Sequence, residues 1–135
     1  MPRKFLAVAL WLIGSILFTA QASAQIQTYE GVGEYWLERG DTLDYAKKKA
    51  TALAERDALE QVYIYVSSDS TLRNSDLNKD EIITIAAGLI YVTGKKFSVS
   101  KADGNFVVRA TVNAEIDIAA VVEAVEREKQ SRLQH

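Results

Sequence analysis

Small apolar residues recur at steps of four along the stretch from Asp41 to about Val66. Five of them define a single helical face: Ala46, Ala50, Ala54, Ala58 and Val62. This spacing predicts one long helix with a buried face, which is widened by Leu43, Leu53 and Leu59. Asp41 is placed to cap the helix N-terminus. Because alanine side chains are short, we expect the helix axis to lie close to the element that it covers.

The segment before this helix, Ile26 to Glu38, has the composition of a β-strand. Gly31 and Gly33 stand two positions apart and therefore share one face of that strand. Glycine inside a strand marks a bulge or a close approach by another element, and the alanine-lined helix is the expected neighbour. The alternative is a backbone surface kept free for a ligand, although a G-x-G without a following helix start is a weak phosphate-binding signal.

The end of the long helix, Val62 to Val66, is compatible with either helix or extended chain. As a helix it places Tyr63 and Tyr65 on nearly opposite sides, so that one of them lies at the surface. As a strand it places both on one face. Either conformation leaves an exposed tyrosine.

The polar segment from Ser67 to Lys79 is predicted to be a solvated loop. Three of its residues alternate and suggest calcium ligands: Asn74, Asp76 and Asn78. The spacing does not fit an EF-hand loop, because Lys79 occupies the glycine position and Ile85 the position of the bidentate glutamate.

The C-terminal half begins with a short helix and a strand. Asn78 with Glu81 resembles a capping box that opens the helix, and Gly88 is placed to end it. A strand is predicted from Ile90 to Lys101, with a bend allowed at Gly94.

Asp103-Gly104 is typical of a tight hairpin turn. From Phe106 to Ile116 every second residue is apolar, which predicts a strand whose buried face starts with Phe106 and whose solvated face starts with Val107. Asp117 opens a last amphipathic helix, and the tail from about Lys129 is expected to fray. Together these elements predict a two-layer α+β fold. An antiparallel sheet of about three strands packs on the long Ala-rich helix and on one or two shorter helices.

Residues 1–24 have the three parts of a secretory signal peptide. Arg3 and Lys4 are followed by the apolar run of residues 5–20 and by the small-residue motif of residues 22–24. We therefore expect cleavage between Ala24 and Gln25, a single domain over residues 25–135, and a periplasmic or secreted location. An uncleaved transmembrane anchor is the alternative, but an apolar run of about 16 residues is short for a span of about 20.

Cleavage would remove two basic residues and leave 14 against 18 acidic ones, a net charge of −4. This balance argues against a nucleic-acid partner and against adhesion to anionic membranes. The chain has no cysteine, so it has neither a disulfide nor a lipid-acceptor thiol. We expect a soluble protein without a stable membrane anchor after cleavage.

Residues that carry catalysis or bind metals are scarce. With no cysteine and a single histidine at the last position, His135, the chain offers no nucleophile–base pair and no zinc ligand set. A pair of carboxylates is the one enzymatic alternative, but 18 acidic residues make chance pairs common. The sequence predicts a protein that is not an enzyme and that has no cofactor and no metal.

The order of elements resembles a known family. An export signal, a Tyr29-Glu30-Gly31-Val32-Gly33 strand and the Ala-rich helix are followed by Ala87-Gly88-Leu89-Ile90 and by a V-x-V strand over residues 104–112. This order is similar to the N-terminal domain of the flagellar assembly protein T family. It is also similar to the related small bacterial surface-lipoprotein domains of the twenty-kilodalton class.

The resemblance covers residues 29–125, roughly, and implies a non-enzymatic envelope module that docks onto other proteins. In the flagellar family such domains belong to a periplasmic ring around the basal body. No functional residue is transferred, because the matching positions are structural ones.

We therefore hypothesise an exported cell-envelope module for protein–protein interaction, linked to flagellar or surface-structure assembly. Its partner would be an envelope protein or a second copy of the chain. Aromatic residues are enriched at interfaces, and the candidate contacts are Trp36, Tyr63 and Tyr65, with core packing as the alternative for each.

The alternative function is a small-ligand carrier or sensor. Its pocket would lie between helix and sheet and would be lined by Tyr35, Tyr91 and Phe97. Close packing of the alanine face leaves little room there, so a working surface is expected on the outer face of the long helix, on the Ser67–Lys79 loop or at a sheet edge.

Overall fold

A computed structural model describes residues 25–68 and 76–134. In these ranges the chain forms β1 (Ile26–Trp36), α1 (Leu43–Ser67), α2 (Lys79–Ala87), β2 (Tyr91–Ala102), β3 (Asn105–Asp117) and α3 (Ile118–Leu133). The predicted signal peptide, the middle of the Ser67–Lys79 loop and His135 lie outside the described residues. The two-layer α+β prediction is confirmed, with one long helix and two shorter ones.

The three strands form one antiparallel sheet in the order β1-β3-β2, so the last strand in the chain is the central one. The even-numbered residues of β3 from Val108 to Ile116 are buried and face the helices. Most odd-numbered residues face the opposite, open side of the sheet, where Glu34 of β1 pairs with Arg109 of β3. The central strand therefore has one covered and one mostly solvated face.

The contact between α1 and β1 is unusually close. A Cβ atom added to Gly31 would lie 2.0 Å from the carbonyl oxygen of Ala54, and one added to Gly33 would lie 2.4 Å from the carbonyl oxygen of Ala50. The alanines of this helix face are fully buried. Packing is thus the role of the two glycines, and the backbone of α1 fills the space that a ligand would need beside them.

A second part of the core joins the C-terminal half of α1 to α2 and α3. Its buried residues include Val62 and Val66 of α1, Ile83 of α2, Ile116 of β3 and Val121 of α3. The segment from Val62 to Val66 is helical, so the helical alternative is correct there. Between them, the two apolar clusters cover the helix-facing side of β3 from Val108 to Ile116.

Several local predictions are confirmed. Asn78 caps α2 by accepting a hydrogen bond from the backbone N–H of Glu81 at 2.9 Å. Asp103 and Gly104 both have positive φ, at 51° and 80°, as a tight hairpin turn requires. The bend at Gly94 is an irregularity in the β2–β3 register between Val92 and Gly94.

Asp117 caps α3 by accepting hydrogen bonds from the N–H groups of Ala119 and Ala120. This helix continues to Leu133, beyond the position near Lys129 at which the tail is predicted to begin. No helix within the described ranges is both long and apolar enough to cross a membrane.

The predicted cap of the long helix is wrong by one residue. Thr42 is the N-cap and accepts a hydrogen bond from the Tyr45 N–H at 3.1 Å. Asp41 instead holds the turn before the helix, since its carboxylate accepts from the Glu38 N–H and from the Tyr35 hydroxyl, both at 2.8 Å. That hydrogen bond to a carboxylate raises the pKa of Tyr35 above its ordinary value.

Two burial predictions are also wrong. Leu43 and Leu53 are exposed, because the face of α1 that points into the core consists of Ala46, Ala50, Ala54, Ala58, Leu59, Val62 and Val66. Phe106 is exposed and Val107 is buried, the reverse of the predicted alternation. The register explains the exchange, since Val107 pairs with the bulky Trp36 on the open side, whereas Phe106 precedes the part of β3 that α1 covers.

Candidate interaction surface

The sheet has two outer edges, and α1 covers only one of them. The helix packs across β1 and the central strand β3. This position follows from the sequence of β1, because Gly31 and Gly33 let the helix backbone approach where any side chain would hold it away. β2 lies on the far side of β3 and is left largely uncovered.

Side chains of α1 cap the outer edge of β1. The Asp57 carboxylate accepts a hydrogen bond from the Val32 N–H at 2.9 Å, and the Gln61 amide donates to the Glu30 carbonyl at 2.7 Å. These bonds occupy backbone groups that an added strand would otherwise use. The β1 edge is therefore a closed edge.

β2 has an open edge. Within residues 25–68 and 76–134, no side chain forms a hydrogen bond to the backbone of this strand, and its pairing runs to β3 on one side only. The strand is twelve residues long and nearly all of it is exposed. Unpaired backbone donors and acceptors on such an edge are a template for another strand.

Apolar side chains line the helix-facing side of β2 without a cover. Phe97 is 41% exposed and Val99 49%, and Phe106 of the adjoining strand is 53% exposed. Ala110 and Val108, which pair with Phe97 and Val99, are fully buried beneath α1. We call five residues on this side the β2 strip: Lys95, Phe97, Val99, Lys101 and Phe106.

A groove runs between α1 and β2. It encloses about 410 Å³ and is lined by Lys47, Lys48, Thr51, Ala52, Glu55, Lys95 and Phe97. The Lys47 ammonium lies 5.6 Å from the centre of the Phe97 ring, within the range of a cation–π contact. The Lys101 ammonium stands at 5.7 Å from the Phe106 ring in the same way. The groove itself therefore combines one aromatic side chain, Phe97, with three lysines.

The charge of this surface is opposite to that of the chain. β2 carries Lys95, Lys96 and Lys101 and has no carboxylate, whereas the net charge of the whole chain is −2. Among the groove residues, Lys47, Lys48 and Lys95 outnumber the single acid, Glu55. Lysine on an edge strand also protects against aggregation, so the cations alone do not identify a ligand.

The three predicted contact residues do not form one surface. Trp36 is exposed on the open side of the sheet at the end of β1, near the start of α1. Tyr63 is half-buried against α2, with the Lys79 ammonium 5.7 Å from its ring. Tyr65 is exposed at the other end of α1, in a groove of about 440 Å³ shared with Ile118.

The three residues expected to line a ligand pocket are also separated. Tyr35 packs edge-on against Tyr45, with ring centres 5.9 Å apart. Phe97 lies in the α1–β2 groove. Tyr91 pairs with Glu115 and is exposed on the open side of the sheet. The structure does not bring these three side chains together.

The sequence reasoning did not single out β2 as the open edge. A signal is present, since residues 91–102 place lysine or serine on both faces of the strand. Central strands lack this pattern because both of their neighbours are strands and at least one face is buried. Gly31 and Gly33 signal the contact of α1 with β1, but the sequence has no signal that β1 is the other edge of the sheet.

In the described part of the chain, no three His, Cys, Asp or Glu side chains cluster as metal ligands would. No family model matches the chain, and no curated protein is similar to it in sequence.

Proposed function

We propose that this protein is a non-enzymatic interaction module of the cell envelope, periplasmic or secreted, which docks onto an envelope protein through β2 and the α1–β2 groove. The observation that carries the proposal is the open edge. A regular strand with exposed Phe97 and Val99 on one side and unpaired backbone on the other is a surface suited to a protein partner.

The contrast with β1 supports this choice of surface. The fold closes one edge with Asp57 and Gln61 and leaves the other uncovered. An exposed strand edge promotes aggregation unless it is protected. Phe97 of β2 lies beside Lys47 of α1, and Phe106 of β3 lies beside Lys101 of β2, which is the composition of an interface with a polar rim.

Residues 1–24 support the proposal that the protein is exported. Their basic start, apolar run and small-residue motif before Gln25 are those of a signal peptide. The resemblance to flagellar and surface-lipoprotein domains favours a partner in a surface structure or its assembly.

Site-specific photo-crosslinking in the producing cells tests the proposal. A benzophenone amino acid is placed at Val99 on the β2 strip and, as a matched control, at the exposed Gln130 on α3. We expect an adduct with an envelope protein from Val99 only. In parallel, mass spectrometry of the fractionated protein should give Gln25 as its N-terminus outside the cytoplasm.

Two results would contradict the proposal. The first is the absence of any adduct from Val99 at native expression level. The second is a cytoplasmic protein that retains residues 1–24.

A further inference from the structure

We propose that β2 receives an extended, acidic segment of the partner as a fourth strand of the sheet. The inference rests on the function proposed above and names the chemistry of the partner. Addition of a strand to an exposed edge is an established mode of peptide recognition, in which the backbone gives affinity and alternate side chains give specificity.

The backbone geometry favours a strand as the added element. β2 is regular from Lys95 to Lys101, beyond the irregularity at Gly94, and pairs residue by residue with β3. Seven residues at about 3.3 Å each give an edge of roughly 23 Å. A peptide of seven or eight residues would span it.

The charges favour an acidic segment over a second copy of the chain. β2 has three lysines and no acid. Antiparallel pairing of two copies about Ser98 would set Lys95 of each against Lys101 of the other, and like charges directly opposite are destabilising. Carboxylates on the open side of the added strand would instead face Lys96, and Lys95 and Lys101 on the helix-facing side add to the positive charge of the edge.

The alternation of β2 sets the side-chain pattern of the partner. Residues of the added strand on the helix-facing side would lie beside Phe97 and Val99, which favours valine or isoleucine there. Residues on the other side would lie beside Lys96 and Ser98, which favours glutamate or aspartate. The segment that fits is an alternation of acidic and β-branched residues.

The test uses defined peptides and the protein purified after expression of the full chain, with its N-terminus determined by mass spectrometry. The probe is a fluorescein-labelled eight-residue peptide of alternating glutamate and valine. Its charge control has lysine at each glutamate position. We expect saturable binding by fluorescence anisotropy that is at least tenfold weaker for the lysine peptide and that weakens as salt is raised.

Two N-methylated isomers test the strand geometry. One is methylated on every odd-numbered amide and the other on every even-numbered amide, so their side chains are identical. Only one set of amides can face β2, so one isomer should lose at least tenfold in affinity while the other binds like the parent peptide. Amide hydrogen exchange of residues 95–101 should slow in the complex.

Two variants of the protein locate the site. Lys96→Glu, on the exposed edge, should weaken binding at least fivefold. Lys129→Glu on α3 changes the net charge equally and should leave binding unchanged. Circular dichroism verifies that both variants are folded.

The inference is overturned by equal binding of the acidic and basic peptides, by equal affinity of the two methylated isomers, or by a dimer in sedimentation that Lys96→Glu alters. If Val99 crosslinks to an envelope protein and yet no acidic strand binds, the inference fails while the proposed function stands. If the peptide binds as expected and Val99 captures nothing in cells, the proposed function fails.

Discussion

The two outer strands of this sheet are built in opposite ways. β1 contains Gly31 and Gly33, lies directly beneath the backbone of α1, and has its outer edge capped by Asp57 and Gln61. β2 has its one glycine at an irregularity, carries three lysines, and keeps exposed Phe97 and Val99. The difference shows how one helix can close an edge and, by its position, leave the other edge open.

The closed edge depends on the absence of side chains, which suggests the variant with the largest effect. Gly31→Ala would place a Cβ atom 2.0 Å from the Ala54 carbonyl oxygen and 2.8 Å from the Ala58 nitrogen, so backbone has to move. We expect the free energy of unfolding to fall by about 3 kcal/mol or more, measured by urea denaturation.

The matched control for that variant is Gly94→Ala in β2. Its Cβ would meet nothing closer than the Asn113 amide nitrogen at 3.8 Å. The change in unfolding free energy should stay within about 0.5 kcal/mol. If Gly31→Ala and Gly94→Ala lowered the free energy of unfolding equally, the close contact between α1 and β1 would be contradicted.

The helix side of the same contact gives a smaller effect. Ala54→Leu would insert a larger side chain into the fully buried face of α1 and should destabilise the fold by about 1–3 kcal/mol, measured by thermal and urea unfolding. Ala52→Leu changes an exposed position of the same helix beside the groove and should cost less than about 0.5 kcal/mol. An unchanged melting curve for Ala54→Leu would contradict the burial of the alanine face.

The smallest of the three effects concerns the cap on the β1 edge. Asp57→Ala would remove the acceptor for the Val32 N–H and should reduce stability by about 1–2 kcal/mol. Asp57→Asn keeps an acceptor oxygen at that position and should lose less. The measurement is the unfolding free energy together with amide exchange at Val32, which should speed up in the alanine variant; protection equal to that of the parent protein would argue against the cap.

Sequence patterns are informative at most positions where the determining contact is local, although the cap of α1 is Thr42 and not the predicted Asp41. The caps at Asn78 and Asp117 and the turn at Asp103-Gly104 were predicted because each depends on residues within a few positions of one another. The exchange of Phe106 and Val107 was missed because burial at the end of a strand depends on which neighbour lies across the sheet.

The candidate site was predicted less well than the fold. The enrichment of aromatic residues at interfaces predicts Trp36, Tyr63 and Tyr65 as contacts, but the structure places them in separate regions. A sheet edge was among the expected working surfaces. Phe97 was assigned to a pocket under the helix, whereas it lies in a groove beside it.

By itself, the sequence determined the helices and strands of this protein and the close contact between glycine and alanine faces. These features follow from periodicity and from side-chain size, which act over short distances along the chain. Only the tertiary structure decided which edge is covered, because strand order and helix position depend on pairings between residues far apart in sequence. The openness of β2 results from where α1 lies, and no residue of β2 encodes that position.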